Sequence, residues 1–159
     1  MNKKPVLVNS YKLLNDDQNA SLILLPRLNL DIYEITIYPG ETYEFTTGCL
    51  FASEPMQITK KIYLGNVYKH LVSLEDNKQP SKFWISSNYN IVKHIIKPGS
   101  SLYIDNHKLL GYLKVHEKNK LQYTTTILQN IRTSLFNATG LILKFENNST
   151  IDIILYASL

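Results

Sequence analysis

One phrase, a Pro-Gly pair followed by two short strand-like runs, occurs twice in this chain. The first copy begins at Pro39-Gly40 and the second at Pro98-Gly99, 59 residues later. Proline fixes φ and lacks an N–H donor, and glycine tolerates positive φ, so each pair is expected to end an incoming strand in a turn. With the two copies aligned, Phe45 matches Ile104. The phrase therefore predicts an internal pseudo-repeat within one β domain.

Short runs with strand-like alternation, separated by turn residues, continue along most of the chain. In residues 31–38, Tyr33, Ile35 and Ile37 form the more apolar of two alternating faces. Runs at 56–64 and 67–74 flank a Gly-Asn pair, which is a hairpin signal. Residues 121–136 fit either a helix or a strand, and their threonines favour a strand. The pattern predicts an all-β fold, a double-stranded β-helix or jelly-roll-like sandwich with an internal Pro-Gly repeat.

Two apolar runs near the end of the chain predict a C-terminal hairpin. They cover residues 141–146 and 150–156 and flank an Asn-Asn-Ser turn. The second run is almost continuously apolar, which is typical of a strand at the centre of a sheet or at a subunit contact. With the tyrosine-rich strands, it supplies the candidate contact surface. The candidate contact residues are Tyr63, Tyr68, Ile153, Leu155 and Tyr156, and the turns expected to define the fold are Pro39, Gly40, Pro98, Gly99 and Gly140.

Length and composition restrict the class of protein more than they indicate a function. A chain of 159 residues suits one domain, and we predict a single β domain over residues 21–159 after a polar, loosely ordered lead-in at 1–20. The net charge of +4 permits contact with anionic lipid or nucleic acid but argues for neither. The lone Cys49 cannot form an internal disulfide, which favours a reducing compartment or an organelle interior. No apolar run approaches the roughly 18 residues of a membrane span.

A search for catalytic or metal-binding residues gives no constellation. The four histidines, His70, His94, His107 and His116, include no His-x-His pair, and cupin-like metal sites need clustered ligands. Cys49 lies between apolar residues and is interpreted as a small core residue. The nearest approach to paired carboxylates is Glu41 with Glu44, which a solvated turn would explain. We therefore predict a non-enzymatic protein with no cofactor and no metal.

Nucleic-acid binding would require a basic surface with interleaved aromatic side chains. The nearest approach combines Tyr63 and Tyr68 with neighbouring lysines, and a second basic cluster lies within residues 114–120. Tyrosines spread along β-strands more often form cross-strand packing pairs than stacking platforms. Nucleic acid is therefore not the expected partner.

The last third of the chain resembles the closing signature of the altered-inheritance-of-mitochondria family of β proteins. Residues 131–146 carry Leu135-Phe136, a short turn containing Gly140, and the run Gly-Leu-Ile-Leu-Lys-Phe that opens the final strand pair. The segment from Pro98 to Gly111 is similar to the family's Pro-Gly-Glu … Val-Asp … Leu-Ala segment, and the resemblance spans about residues 30–157. The chain departs from the family at two turns, where Ala-Thr-Gly and Asn-Asn-Ser replace Gly-Glu-Gly and Gly-Pro-Gly.

The resemblance implies a fold similar to that of the tryptophan-RNA-binding attenuator, a double-stranded β-helix that assembles into rings or other oligomers. Fungal members are mitochondrial inner-membrane proteins connected with cristae shape and respiratory-complex integrity. It thus implies a non-enzymatic scaffold, a homo-oligomer or part of a membrane-associated complex, with a presequence absent from this chain. It establishes no catalytic residues. Two alternatives stay open: a degenerate cupin-like small-molecule or metal binder with a pocket lined by His94 or His107, and an RNA-binding oligomeric ring.

Overall fold

The computed structural model of the protein describes residues 4–5, 23–24, 30–62, 68–76, 78–114, 122–127 and 141–159. Every regular element in these residues is a β-strand, so the prediction of an all-β fold is confirmed. The strands in chain order are β1 (Lys4–Pro5), β2 (Asp31–Ile37), β3 (Thr42–Thr46), β4 (Leu50–Ser53), β5 (Gln57–Ile62), β6 (Tyr68–Ser73), β7 (Ser81–Ser87), β8 (Ile91–Ile96), β9 (Ser101–Asp105), β10 (Leu109–Lys114), β11 (Gln122–Ile127), β12 (Leu141–Glu146) and β13 (Ile153–Ser158).

The strands form three antiparallel sheets that pack as a layered sandwich. The central sheet has seven strands in the order β1-β5-β6-β3-β10-β13-β8. The first outer sheet has the order β2-β7-β4, and the second outer sheet has the order β11-β12-β9. The expected hairpin of the tyrosine-rich strands is present, since β5 pairs with β6 from Gln57 opposite Ser73 to Ile62 opposite Tyr68.

The pseudo-repeat predicted from the Pro-Gly phrase extends over twelve of these strands. In the first repeat (β2–β7), β7 lies between β2 and β4, and β6 lies between β3 and β5. In the second repeat (β8–β13), β13 lies between β8 and β10, and β12 lies between β9 and β11. Each strand of the first repeat therefore has an equivalent six strands later with the same neighbours. The two repeats are sandwiches of the same topology, and the predicted jelly-roll-like fold with an internal repeat is confirmed.

Both Pro-Gly pairs make the same turn and carry the chain from one sheet to another. The N–H of Glu41 donates to the carbonyl of Tyr38 at 3.0 Å, and the N–H of Ser100 donates to the carbonyl of Lys97 at 3.0 Å. Gly40 has φ 78° and Gly99 has φ 74°. A turn with proline second and a residue of positive φ third is the type II turn, which requires glycine at the third position. The repeated phrase thus marks the crossing point between layers in each repeat.

Among the described strands, one pair hydrogen-bonds the first repeat to the second, and we call it the repeat junction: β3 of the first repeat beside β10 of the second. In it Phe45 lies opposite Gly111, and Glu44 lies opposite Tyr112. A Cβ atom at Gly111 would overlap the ring of Phe45 and lie 2.6 Å from the backbone oxygen of Glu44. Glycine is thus required there by the close packing of a fully buried aromatic ring.

Two cores lie on opposite sides of the central sheet. The first core lies against the first outer sheet and contains Phe45, Phe83 and Tyr156. The second core lies against the second outer sheet and contains Leu155 and Phe145. Strand β13 contributes alternate side chains to both cores, which explains why its sequence is almost continuously apolar.

The predicted C-terminal hairpin is wrong. Strand β12 pairs with β11 and β9 in the second outer sheet, whereas β13 pairs with β10 and β8 in the central sheet. The turn between them is built around the fully buried Asn147, whose Nδ2 donates to the carbonyls of Ile96 and Ile151, each at 2.7 Å. Its Oδ1 accepts the N–H of Ser149 at 2.9 Å. These hydrogen bonds satisfy backbone carbonyl and N–H groups where the chain passes from the second outer sheet to the central sheet.

Candidate functional site

Three of the five residues predicted to form a contact surface are buried. Ile153, Leu155 and Tyr156 are buried in the two cores, because β13 lies inside the central sheet with both of its faces covered. Tyr68 begins β6 and pairs with Ile62. Tyr63 and the turn residue Gly140 lie outside the described residues. The apolar run at the C-terminus therefore forms an internal strand and is not a docking surface.

The histidines are dispersed over the fold. His107 lies in the β9–β10 turn, and the half-buried His94 lies on β8. His70 lies on β6, where burial, with a smaller contribution from the charge of Lys60, lowers its pKa from the usual value. His116 lies outside the described residues. Within the ranges that the structure describes, no three side chains of His, Cys, Asp and Glu approach one another closely enough to hold a metal ion.

A shallow cleft of about 360 Å³ opens where equivalent turns of the two repeats meet. One wall is the β3–β4 turn, residues 46–49, and another is the β7–β8 turn, residues 86–89. His107 contributes from the β9–β10 turn, and it is equivalent in the repeat to Gly48. The cleft lining carries hydroxyl groups and one imidazole, but neither a carboxylate nor a lysine or arginine. Its chemistry suits weak polar contacts rather than the binding of a charged ligand.

Cys49 lines this cleft but has the properties of a structural thiol. Its side chain is buried, and its Sγ donates to the carbonyl of Thr46 at 3.0 Å. Burial raises the pKa of the Cys49 thiol to about 11, and the hydrogen bond from Thr46 offsets this only in part. Because the thiolate is the nucleophilic form, Cys49 is a poor nucleophile near neutral pH.

A buried carboxylate lies at the repeat junction, where the sequence had suggested a solvated turn. The side chain of Glu44 is 1% exposed, and its Oε1 accepts from Lys69 Nζ at 2.9 Å and from the Tyr112 hydroxyl at 2.8 Å. Lys69 Nζ also lies 5.5 Å from the centroid of the Tyr112 ring. The interpretation of Glu44 as solvated is therefore wrong. Three strands, β3, β6 and β10, meet in this polar cluster, which ties the two repeats together.

The strongest candidate for a functional surface is the outer face of the first outer sheet, on the side away from the central sheet. Phe83 and Ile85 of β7 point into the first core, so the intervening Trp84 lies on the outer face. Ala52 is opposite Trp84 on β4, and Ile32 on β2 is 36% exposed. The single tryptophan of the chain is thus half-buried in an apolar patch of the outer face, which also carries Glu34 directly opposite Trp84 and the ion pair of Glu34 with Lys82.

The equivalent face of the second repeat is covered at its apolar patch, although Lys93 and Ile95 on the same face of β8 are exposed. The 59-residue offset of the Pro-Gly phrase matches Ile32 with Ile91 and Ala52 with Gly111. Trp84 lies opposite Ala52, and Tyr156 lies opposite Gly111, so Trp84 and Tyr156 are equivalent as well. Ile91 is 8% exposed and Tyr156 is 2% exposed, both within the first core. One apolar face is therefore used twice in the chain, once buried by the other repeat and once open. We call the open copy, formed by Ile32, Phe51, Ala52 and Trp84, the open face.

Each outer sheet has an edge strand beside the central part of the fold: β4 borders the open face, and β9 ends the second outer sheet. Among the described strands, β4 has a neighbour only in β7, and β9 has a neighbour only in β12. An exposed strand edge presents unpaired N–H and C=O groups that can pair with another chain. The sequence alone does not indicate the open face, because the 59-residue offset matches Ile32 with an identical residue, Ile91, and the two differ only in burial.

Comparison with known proteins gives a fold relationship. No protein-family model matches the chain, and no curated protein matches it. Among solved structures, the chain is similar to the crystal structure of protein SPYM3_0169 from Streptococcus pyogenes, with a TM-score of 0.60 and 14% sequence identity. The match covers 81% of this chain and 54% of that chain, so this chain spans about half of the length of the protein it matches. At this identity the likeness concerns the fold alone, and it agrees with a β-sandwich.

Proposed function

We propose that this protein is a non-enzymatic structural module that works by assembling with further copies of itself into a scaffold. The observation that carries the proposal is the open face, because its equivalent in the second repeat is buried in the first core. An apolar face that one repeat covers and the other exposes is a surface suited to a partner of the same kind. The described part of the chain contains no helix long and apolar enough to cross a membrane.

The resemblance to the altered-inheritance-of-mitochondria family supports a location for this scaffold. In that reading the assembled module works at the mitochondrial inner membrane, in the organisation of cristae and the integrity of respiratory complexes. Its partners there are proteins, with further copies of the chain first among them. The net charge of +4 is compatible with an anionic lipid surface beside the assembly.

The first test is the mass of the protein in solution, measured by light scattering over a dilution series. We expect the wild-type mass to rise with concentration above the 18.3 kDa of one chain. The variant Trp84→Glu should stay at the mass of one chain, because it removes the largest apolar side chain of the open face and places a second carboxylate directly opposite Glu34, where both charges would have to be desolvated at the contact. Circular dichroism checks that this variant keeps its strand content.

The matched control is Ile95→Glu, which places the same charge on an exposed isoleucine of β8 in the central sheet. This variant should associate as the wild type does, because Ile95 lies away from the open face. A wild-type protein that keeps the mass of one chain at every concentration contradicts the proposal. So does a Trp84→Glu variant that associates as strongly as the wild type.

A further inference from the structure

The repeat junction provides an internal precedent for one specific contact between copies. Strand β3 of the first repeat pairs with β10 of the second, and the equivalents of these strands are β9 and β4. In the described residues, β9 is an edge of the second outer sheet and β4 is an edge of the first. One chain therefore carries the two strands of a further junction, β9 in the second outer sheet and β4 in the first. These two strands do not pair with each other within the chain.

We infer that β9 of one copy pairs with β4 of the next copy in the antiparallel register of the repeat junction. In that junction Gly111 lies opposite Phe45, and Tyr112 lies opposite Glu44. The 59-residue offset converts these pairs to Ala52 opposite Ile104 and to Ser53 opposite Tyr103 of the neighbouring copy. The inference rests on the proposed self-assembly and names its partner as a second copy of this chain.

The side chains at the inferred contact have complementary sizes. At the repeat junction the smallest residue, Gly111, lies under the large ring of Phe45. At the contact between copies, Ala52 takes the position of Gly111 and is slightly larger, whereas Ile104 takes the position of Phe45 and is slightly smaller. Ala52 is half-buried on its edge strand, and Ile104 is half-buried against the second core. The added methyl group of Ala52 is thus matched by the loss of volume from phenylalanine to isoleucine across the contact.

The backbone irregularity in β10, one of the two strands of the repeat junction, has an equivalent in β4. Strand β10 has an irregularity between Leu109 and Gly111, where it pairs with β13. Strand β4 has one between Leu50 and Ala52, at the equivalent position of its pairing with β7. A bulge increases local twist and sets the direction in which a strand presents its free edge. Strand β10 therefore presents to β3 an edge with the same local geometry as the edge of β4 that faces away from β7.

The inferred contact also covers the open face. Leu110 and Tyr156 of the second repeat pack into the first core, and their equivalents on the open face are Phe51 and Trp84. In the assembly these two side chains would pack against the half-buried residues at the border of the second core, which include Leu102 and Ile104. Burial of apolar area at this position supplies the driving force for the strand pairing.

The contact is directional, because it joins different strands of the two copies. Each copy offers β9 at one end and β4 at the other, so the arrangement is heterologous and continues from copy to copy as a ring or a filament. Strands β2 and β8, which are equivalent edge strands of the two repeats, have no partner in the repeat junction. They are therefore expected to stay outside the contact.

Disulfide trapping between two different variants tests the register. Ser53→Cys is prepared in one batch of the full chain and Tyr103→Cys in another, and both positions are exposed. Opposite residues on paired antiparallel strands have Cβ atoms about 5 Å apart, within reach of a disulfide. We expect the mixture to form a covalent dimer under mild oxidation, and each variant alone to form none. The wild type, with its buried Cys49, gives the background.

The matched control mixes Ser53→Cys with Ser101→Cys, which lies on the same face of β9 two residues out of register. This mixture should give at least tenfold less dimer, since diagonal neighbours lie too far apart for the bond. Dimer from Tyr103→Cys alone would indicate a symmetric β9–β9 contact and overturn the inference. Concentration-dependent mass without the expected cross-link would also overturn it and leave self-assembly standing. A mass of one chain at every concentration would remove both.

Discussion

Replacing Gly111 with alanine is expected to lower the free energy of unfolding by about 3 kcal/mol, because the added methyl group overpacks the repeat junction. The new Cβ would overlap the Phe45 ring and the backbone oxygen of Glu44. Phe45 is fully buried, so its ring cannot move aside into solvent. Relief would require β3 and β10 to separate, which would break the backbone hydrogen bonds between the two repeats and loosen the first core that they share. Urea unfolding at neutral pH measures the effect.

Gly99→Ala is the matched control for this substitution. Gly99 has φ 74°, and a Cβ added there would meet no atom within 4 Å. Its cost is therefore backbone strain alone, about 1 kcal/mol. If Gly111→Ala costs no more than Gly99→Ala, the junction is not closely packed around this glycine. A second substitution, Phe45→Leu, should recover part of the loss in Gly111→Ala, since the two sites are in contact.

Replacing Glu44 with alanine is expected to lower the free energy of unfolding by about 3 kcal/mol. The substitution removes a buried carboxylate that accepts from Lys69 at 2.9 Å and from Tyr112 at 2.8 Å. Both donors lose this partner in a place where water cannot fully replace it. Tyr112→Phe removes only one neutral donor and should cost about 1 kcal/mol. Thermal or urea unfolding gives both values.

The pair of Glu34 with Lys82, which lies beside Trp84 on the outer face, is the control for the buried cluster when unfolding is measured at a concentration that keeps the protein as single chains. Its atoms are 2.8 Å apart, almost the same distance as in the Glu44–Lys69 pair, but both side chains are about half exposed. Water screens the exposed charges, so Glu34→Ala should cost less than about 1 kcal/mol. Equal losses for Glu34→Ala and Glu44→Ala would contradict the view that burial gives the Glu44 cluster its importance.

The sequence predicted the repeat because backbone chemistry at the Pro-Gly turns is local. Proline at the second position and glycine at the third specify a type II turn wherever they occur, and the structure contains this turn at Gly40 and at Gly99. The alternation in residues 31–38 was read correctly for a similar reason. A strand with one covered face shows its orientation directly in the side-chain pattern, with Ile35 and Ile37 buried.

The C-terminal strands were misassigned because strand pairing is not local. An apolar run, a polar turn and a second apolar run are compatible with a hairpin and equally with a crossing between two layers. The choice between them is made by the turn around Asn147, whose side chain bonds to the distant carbonyl of Ile96. For the same reason, Ile153 and Leu155 could not be assigned to a core or an interface from their sequence alone.

The open face was not recognised from the sequence because its meaning depends on its equivalent in the other repeat. Trp84 and Ile32 have no unusual local pattern. They become informative only when Tyr156 and Ile91 are seen to occupy the same positions of the second repeat and to be buried there. The match between β7 and β13 is also displaced from the offset of the Pro-Gly phrase, because the two repeats have connections of different length.

The central claim is that the edges β9 and β4 are covered by neighbouring copies. Hydrogen–deuterium exchange at low and high protein concentration tests it most directly, because pairing protects amide hydrogens at an exposed strand edge. We expect slower exchange at high concentration in residues 101–105 and 50–53, with the edge strands β2 and β8 unchanged. Exchange that does not depend on concentration in β9 and β4, or protection that appears in β8 instead, would contradict it.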